Sequence, residues 1–212
     1  MKLLSLPPFI PLMGAALLCF SLVEAPTYTI SDTVEDFQLI NVINSKPVSL
    51  SDYANAQGVV IVFTCLHCPY AQLYDDRLIQ LHKEYAPKGF PVLAINPTSP
   101  RLFPEDSFEN MREHARRKRY PFPYLQDDTQ KIALRFGAKR TPHVFLLDKN
   151  RVVRYIGSID DNPENARAVS KHFLRDAIQA LLRGERPYPE TAQAIGCPIR
   201  IDKQLQDSTK RR

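Results

Sequence analysis

Two continuous apolar runs, rich in β-branched residues, stand out along the chain, at residues 58–64 (GVVIVFT) and 90–96 (FPVLAIN). Such runs are typical of strands that are buried on both faces of a sheet. Between them, residues 69–86 carry apolar or aromatic side chains at spacings of four, three and four, which predicts one face of an amphipathic helix. The pattern therefore predicts a strand, a helix and a second strand in succession.

The same alternation continues on both sides of these elements. Residues 36–53 carry short alternating segments around a turn, which predicts a hairpin-like lead-in. After residue 96 we expect a loop (97–107), a polar helix (108–119) and a short strand (123–127). The next element is a helix (129–136) that is capped by Asp128 and ended by Gly137. Two strands (143–148 and 151–157) about a Lys149–Asn150 turn and a final helix (163–184) follow. The order predicts an α/β domain with a central mixed sheet flanked by helices.

The start of the chain has a different composition. Residues 1–25 hold one Lys followed by a mostly apolar run, which is typical of a secretory signal peptide or an N-terminal anchor, although Pro26 would hinder cleavage. We therefore expect export, to the periplasm or to a membrane-anchored position facing it, with a cytosolic protein as the alternative. The predicted division is a leader or anchor (1–25), one domain (26–184) and an irregular tail (185–212).

Charge adds little to this picture. The net charge is +5, and part of it lies in the basic runs at residues 112–119 and 208–212. No nucleic-acid recognition motif accompanies these runs, so a solvated helix face and a frayed tail are the simpler interpretation. We expect no nucleic-acid partner and no cofactor, and membrane attachment only through the N-terminal segment.

The four cysteines point to chemistry rather than to a disulfide scaffold. They are Cys19, Cys65, Cys68 and Cys197, and removal of the leader would leave an odd number. Cys65 and Cys68 lie where the first buried strand gives way to the predicted helix, so a thiolate there is favoured by the unpaired N–H groups of a helix start. Cys65 is the expected attacking thiol and Cys68 the resolving one.

Two other uses of the pair stay open from spacing alone. A structural zinc site needs about four ligands, and the chain has no second ligand pair at the usual spacing, although Cys197 and scattered histidines could complete one. A structural disulfide across so short a loop constrains the unfolded chain very little. His67, between the cysteines, is either a group that stabilises the thiolate or a solvent-facing turn residue. No metal site is expected.

A second candidate feature is Thr141-Pro142, directly ahead of the predicted strand at 143–148. A proline at this position is either a trans edge residue or a cis peptide that brings backbone against the cysteines.

Taken together, these motifs resemble the thioredoxin-like superfamily, and within it the redoxin (AhpC/TSA-type) branch. The similarity runs over about residues 30–200 and rests on FTCLHCPYAQ, PEDSFENM, YPFPYLQDDTQKIALRFGAKRTPHVFLLD and AIGCPIRI, which look like a bacterial subgroup with an F-x-C-x-H-C-P motif. The resemblance implies a thioredoxin-like fold, redox-active Cys65 and Cys68, and a cis Pro142 after Thr141. It also implies site-lining or tuning roles for Thr64, His67 and Pro69, and it matches Cys197 to a recurring Gly-Cys without giving it a role.

The sequence departs from this family pattern in three ways. Thr64 stands where thioredoxins have Trp before the first cysteine, and the first buried strand has no acid, which leaves Glu105 and Asp106 as candidates for the proton-handling group. Val62 stands three residues before Cys65, where peroxiredoxins place a Thr, and Arg140 is no clear substitute for the peroxidase arginine.

The sequence thus predicts a thiol–disulfide oxidoreductase acting on protein thiols or disulfides with a redox partner protein. The alternatives are a peroxiredoxin-like thiol peroxidase with antioxidant activity and a non-catalytic binding module of the same fold.

Overall fold

The computed structural model describes residues 27–205 of the 212-residue chain. The predicted leader, residues 1–25, therefore lies outside the described residues. The helices and strands of the described part are, in chain order, β1 (Gln38–Asn41), β2 (Pro47–Ser49), β3 (Gly58–Phe63), α1 (Pro69–Leu73), α2 (Asp75–Tyr85), β4 (Val92–Asn96), α3 (Phe108–Lys118), β5 (Tyr124–Gln126), α4 (Lys131–Phe136), β6 (Arg140–Thr141), β7 (His143–Asp148), β8 (Val153–Gly157), α5 (Phe173–Leu182) and β9 (Cys197–Pro198).

Seven of these strands form one mixed sheet in the order β2-β1-β5-β4-β3-β7-β8. In this sheet, β3 lies between β4, to which it is parallel, and β7, to which it is antiparallel. β1 and β2 pair antiparallel and form the hairpin predicted within residues 36–53. The α/β prediction with a central mixed sheet is confirmed.

The composition of β3 follows from its position between two apolar layers. Val60 and Val62 face the layer that contains α2, α3 and α5, whereas Ile61 and Phe63 face the layer that contains α4. All four side chains are fully buried. A strand covered on both faces has no polar side to present, which explains its continuous apolar run.

Two predicted helices differ from those in the structure. The segment at 69–86 is divided at Tyr74, whose hydroxyl donates to the buried carboxylate of Asp160 at 2.7 Å. The final helix begins at Phe173 instead of residue 163. Within residues 163–172, the Ser170 N–H donates to the side chain of Asp161 at 3.0 Å. Such side-chain bonds to the backbone compete with helix formation.

The predicted cap of α4 is also wrong. Gln130, with φ of +59°, precedes the helix in place of Asp128. The neighbouring Asp127 supplies the side-chain acceptor, since its Oδ2 accepts from the Ala133 N–H at 2.8 Å. Gly137 ends the helix in the left-handed conformation, as predicted.

The chain after α5 returns to the strand β6. β9 pairs antiparallel with β6, so that Cys197 lies opposite Thr141 and Pro198 opposite Arg140. We call residues 196–205 the C-terminal segment. In the described part of the chain, no helix has the length and apolar character needed to cross a membrane.

Candidate active site

The first cysteine of the pair lies in the loop that follows β3. The Thr64 N–H donates to the Ile95 carbonyl at 2.8 Å, which extends the sheet pairing to the residue before Cys65. Cys65 is 3% exposed and Cys68 is fully buried. Residues 65–68 are not helical, and Cys68 is the cap residue before Pro69, the first residue of α1. Both cysteines therefore lie ahead of the first turn of α1 and not within it.

The disulfide in this structure joins Cys68 to Cys197, with their Cα atoms 5.8 Å apart. These residues are separated by 129 positions in the chain. Cys65 is the free cysteine of the three among the described residues. The C-x-x-C motif is thus present with its first thiol free and its second thiol bonded to the C-terminal segment.

Thr141 lies against both cysteines of the motif. Its Oγ1 is 3.0 Å from Cys65 Sγ, a distance at which the hydroxyl can donate to a thiolate. Its carbonyl oxygen is 3.2 Å from Cys68 Sγ. The peptide bond between Thr141 and Pro142 is cis, which confirms the expectation from the family resemblance. Both residues are buried.

His67 lies beside Cys65 and contacts Asp106. The His67 Nδ1 atom is 2.5 Å from Asp106 Oδ2, and the Nε2 atom is 4.0 Å from Cys65 Sγ. The ring also stacks on Phe103, with centroids 3.9 Å apart and planes 10° from parallel. The imidazole is therefore oriented with one nitrogen towards a carboxylate and the other towards the free thiol.

This arrangement changes the protonation of His67. Burial of the ring opposes protonation, but the hydrogen bonds to Asp106 and Cys65 and the charges of both groups outweigh it. Together they raise the pKa of His67 from 6.5 to about 10. At neutral pH the ring is then an imidazolium, with its Nε2 atom 4.0 Å from Cys65 Sγ.

Asp106 is the acid of this site, and the sequence did not single it out from its neighbour. It is fully buried, whereas Glu105 is exposed. Besides His67, it accepts from the Leu66 N–H at 2.6 Å and from the Asn96 side chain at 2.7 Å. Asn96 ends β4 and was not predicted as a site residue. The signal available in the sequence was a polar residue at the end of a buried apolar run.

The ligand atoms of Cys65, His67 and Asp106 lie within 4.8 Å of one another. Such a group could hold a metal ion, but the Asp106 oxygens already accept from N–H groups. Cys65 Sγ and His67 Nε2, which lie 4.0 Å apart, are then the two remaining ligand atoms of the group. A structural zinc site needs about four ligands.

A surface groove of about 450 Å³ opens beside His67. Its lining includes Leu66, His67, Gln72, Glu113 and Arg117.

The chain is similar to known proteins in sequence and in structure. The thiol-disulfide oxidoreductase ResA of Geobacillus thermodenitrificans is 26% identical over 133 residues, which are 63% of this chain and 71% of ResA. A solved structure of an uncharacterized conserved protein from Geobacillus kaustophilus is similar with a TM-score of 0.78 and 36% identity, covering 85% of this chain and 96% of that one.

The fold is shared more widely. The exposed lipoprotein thioredoxin Etrx1 of Streptococcus pneumoniae is similar with a TM-score of 0.54 and 22% identity, covering 71% of this chain and 99% of that one. This likeness confirms the thioredoxin-like fold. The chain matches the AhpC/TSA family over residues 30–156, more than half of its 212 residues. It therefore belongs to the AhpC/TSA family, as the redoxin resemblance predicted.

Proposed function

We propose that this protein, an oxidoreductase of thioredoxin type, exchanges thiols and disulfides with other proteins through Cys65. One observation carries the proposal: the free Cys65 thiol lies 4.0 Å from His67 Nε2, and the Nδ1 atom of the same ring lies 2.5 Å from the buried Asp106 carboxylate, which raises the pKa of His67. A thiolate is the nucleophile in disulfide exchange, and a neighbouring cation increases its population.

The proposed reaction begins with the fully reduced cysteines. The Cys65 thiolate attacks one sulfur of a substrate disulfide, a bond forms between the two sulfurs, and the second substrate sulfur leaves as a thiolate. The Cys68 thiolate then attacks Cys65 Sγ and displaces the first substrate sulfur. The substrate has gained two electrons, and the protein holds a Cys65–Cys68 disulfide. The reverse sequence oxidises a substrate dithiol.

The neighbouring groups have separate roles in this proposal. His67 stabilises the Cys65 thiolate and is the nearest proton donor for a leaving sulfur, while Thr141 donates to the same thiolate. Pro142 fixes the backbone beside the pair, and Thr64 and Pro69 set the two ends of the loop. The groove next to His67 would receive the polypeptide that carries the substrate sulfur.

Two features of the relatives support the substrate class and the location. ResA is named for thiol–disulfide oxidoreduction, and Etrx1 is described as an exposed lipoprotein. We propose by analogy that protein thiols are the substrates, that a redox protein is the electron partner, and that residues 1–25 direct export of the domain that begins at residue 26.

Replacement of the nucleophile tests the proposal. We expect Cys65→Ser to lower the rate of insulin reduction, or of dithiol oxidation, by at least about 100-fold, because the remaining hydroxyl cannot take part in disulfide exchange. Cys19→Ser, the same change at a cysteine outside the described residues, is the control and should retain the rate. An undiminished rate in Cys65→Ser would overturn the proposal.

Membership of the AhpC/TSA family makes a thiol peroxidase the second candidate. Stopped-flow consumption of hydrogen peroxide distinguishes it, since a rate no greater than that of free cysteine eliminates peroxidase activity. The third candidate, a binding module, would be favoured by stoichiometric zinc in the purified reduced protein. In that case Cys65 and His67 would be occupied as ligands, and Cys65 would alkylate slowly.

A further inference from the structure

We propose that Cys197 is a third redox-active cysteine of the site. It attacks Cys68 in the Cys65–Cys68 disulfide, forms a Cys68–Cys197 disulfide, and so regenerates the Cys65 thiolate. The inference rests on the proposed function. It assigns a reaction to the Cys68–Cys197 disulfide, which a simple two-cysteine exchange leaves unused.

The three cysteines meet around one residue. Thr141 Oγ1 is 3.0 Å from Cys65 Sγ, the Thr141 carbonyl oxygen is 3.2 Å from Cys68 Sγ, and the Thr141 backbone pairs with Cys197 in the β6–β9 ladder. Cys197 also packs against the small buried cluster that contains Cys65 and Cys68. Cys68 therefore lies where either of the other two sulfurs can reach it.

Non-covalent contacts hold the C-terminal segment in place independently of the disulfide. The Ile199 N–H donates to the Lys139 carbonyl at 3.0 Å, and the Asp202 N–H donates to Gln130 Oε1 at 2.7 Å. The buried Asp202 carboxylate also accepts from Ser99 Oγ at 2.7 Å and pairs with Arg101. Reduction of the disulfide would thus leave Cys197 close to Cys68, at the high effective concentration of an intramolecular partner.

Gly196 permits this close seating. Its φ is +151°, and a Cβ at this position would overlap the Thr141 carbonyl oxygen and crowd the Pro142 ring. The Gly196 carbonyl also accepts from Arg140 Nη1 at 2.7 Å. The residue before Cys197 is therefore fitted to the same Thr-Pro backbone that contacts the other two cysteines.

The proposed step conserves electrons. After substrate release, Cys197 gives its proton to solvent and its thiolate attacks Cys68 Sγ. The Cys68–Cys197 bond forms, the Cys65–Cys68 bond breaks, and Cys65 leaves as a thiolate beside protonated His67. Stabilisation of that thiolate makes Cys65 the better leaving group. An external dithiol then supplies two electrons to reduce Cys68–Cys197.

Exposure fits this order of events. Cys197 is half-buried, whereas Cys65 and Cys68 are almost fully covered. An external dithiol would therefore reach the disulfide first at Cys197. The substrate disulfide would then react at Cys65, and the external dithiol would react at Cys197.

Time-resolved alkylation tests the proposal. The fully reduced protein is mixed with oxidised glutathione, quenched at intervals with N-ethylmaleimide, and mapped by mass spectrometry. We expect all three cysteines to be labelled at zero time, then Cys197 alone while Cys65–Cys68 is present, and later Cys65 alone, with Cys68 unlabelled in both phases. Label that stays on Cys197 at late times would overturn the proposal, as would a Cys68–Cys197 bond that never opens under turnover.

Variants separate this result from the proposed function itself. Cys197→Ser should form Cys65–Cys68 at the wild-type rate but show no second phase. If Cys65→Ser is inactive and Cys197→Ser is indistinguishable from wild type in both phases, the function stands and the role of Cys197 falls.

A glycine pair gives a matched control that keeps every cysteine. Gly196→Ala should slow the second phase by at least about tenfold, because displacement of the segment lowers the effective concentration of Cys197. Gly184→Ala introduces the same change at another positive φ, +76°, where a Cβ meets nothing within 4 Å. It should leave both phases unchanged. Equal second phases in the two variants would contradict the role given to this contact.

Discussion

The Nδ1 atom of His67 lies 2.5 Å from the Oδ2 atom of Asp106, a residue 39 positions away that comes from the loop after β4. Because Nδ1 is bound to the carboxylate, the Nε2 atom is left to face Cys65. A carboxylate that fixes the orientation and charge of a histidine in this way acts on the thiol without touching it.

Removal of the Asp106 charge should therefore slow the reaction of Cys65. We expect Asp106→Asn to lower the rate of Cys65 alkylation by iodoacetamide at pH 7 by about tenfold or more, because loss of the carboxylate returns the pKa of His67 towards 6.5, and at pH 7 most of the rings then lack the proton that stabilises the thiolate. Glu105→Gln removes the same charge one residue earlier, at an exposed side chain, and should have little effect. Equal rates in the two variants would contradict the role of Asp106.

The raised pKa of His67 also predicts a dependence of stability on pH. His67 keeps its proton up to about pH 10 in the folded protein, whereas the unfolded chain loses it near 6.5. The stabilisation is complete below pH 6.5 and is lost as the pH rises through about 10. The difference in urea midpoint between wild type and Asp106→Asn should therefore narrow from pH 6 to pH 10. A difference that is constant over this range would show that His67 is not protonated.

The Thr141 hydroxyl is expected to stabilise the Cys65 thiolate directly. Thr141→Val keeps the shape of this buried side chain but removes the donor 3.0 Å from Cys65 Sγ. A hydrogen bond of about 1 kcal/mol corresponds to about a fivefold lower rate of Cys65 alkylation. Thr141→Ser retains the hydroxyl and should remain near the wild-type rate; a similar loss in both variants would point to packing instead.

Stability of the domain should depend strongly on Phe136. Its ring contacts four other aromatic rings, those of Tyr28, Phe37, Phe63 and Phe145. We expect Phe136→Ala to lower the free energy of unfolding by about 3–5 kcal/mol, measured by urea denaturation.

A neighbour on the same helix provides the control for that measurement. Leu134 is also in α4 but is 38% exposed, so Leu134→Ala should cost well under half as much. Similar losses for the two variants would show that the helix, and not the aromatic cluster, determines the effect.

The part of the fold that could be predicted is the part that local patterns encode. The run at 58–64 predicted β3 because both faces of that strand are covered, and its composition reports that directly. The division of the helix at Tyr74 and the late start of α5 depend on side-chain bonds to Asp160 and within the loop after it. Contacts of that kind leave no periodic signal in the sequence.

The candidate site also has features that short sequence motifs predict and features that only tertiary contacts determine. Cys65, His67 and Thr141 could be predicted as site residues because each lies in a short motif with a recognisable chemical pattern. The partner of Cys68 is 129 residues away, and Asp106 and Glu105 are equivalent in sequence until the fold buries one of them. Which cysteines pair, and which acid reaches the histidine, are properties of tertiary structure.

An odd number of sulfurs has a further consequence for this site. When three cysteines share one disulfide, oxidation by two electrons cannot consume every thiol, and one nucleophile always survives. In the described structure the survivor is Cys65, still beside His67 while Cys68 and Cys197 are bonded. A site with two cysteines has no free thiol after oxidation. With Cys65 free, this site would still be able to form a mixed disulfide with a second substrate before the Cys68–Cys197 disulfide has been reduced.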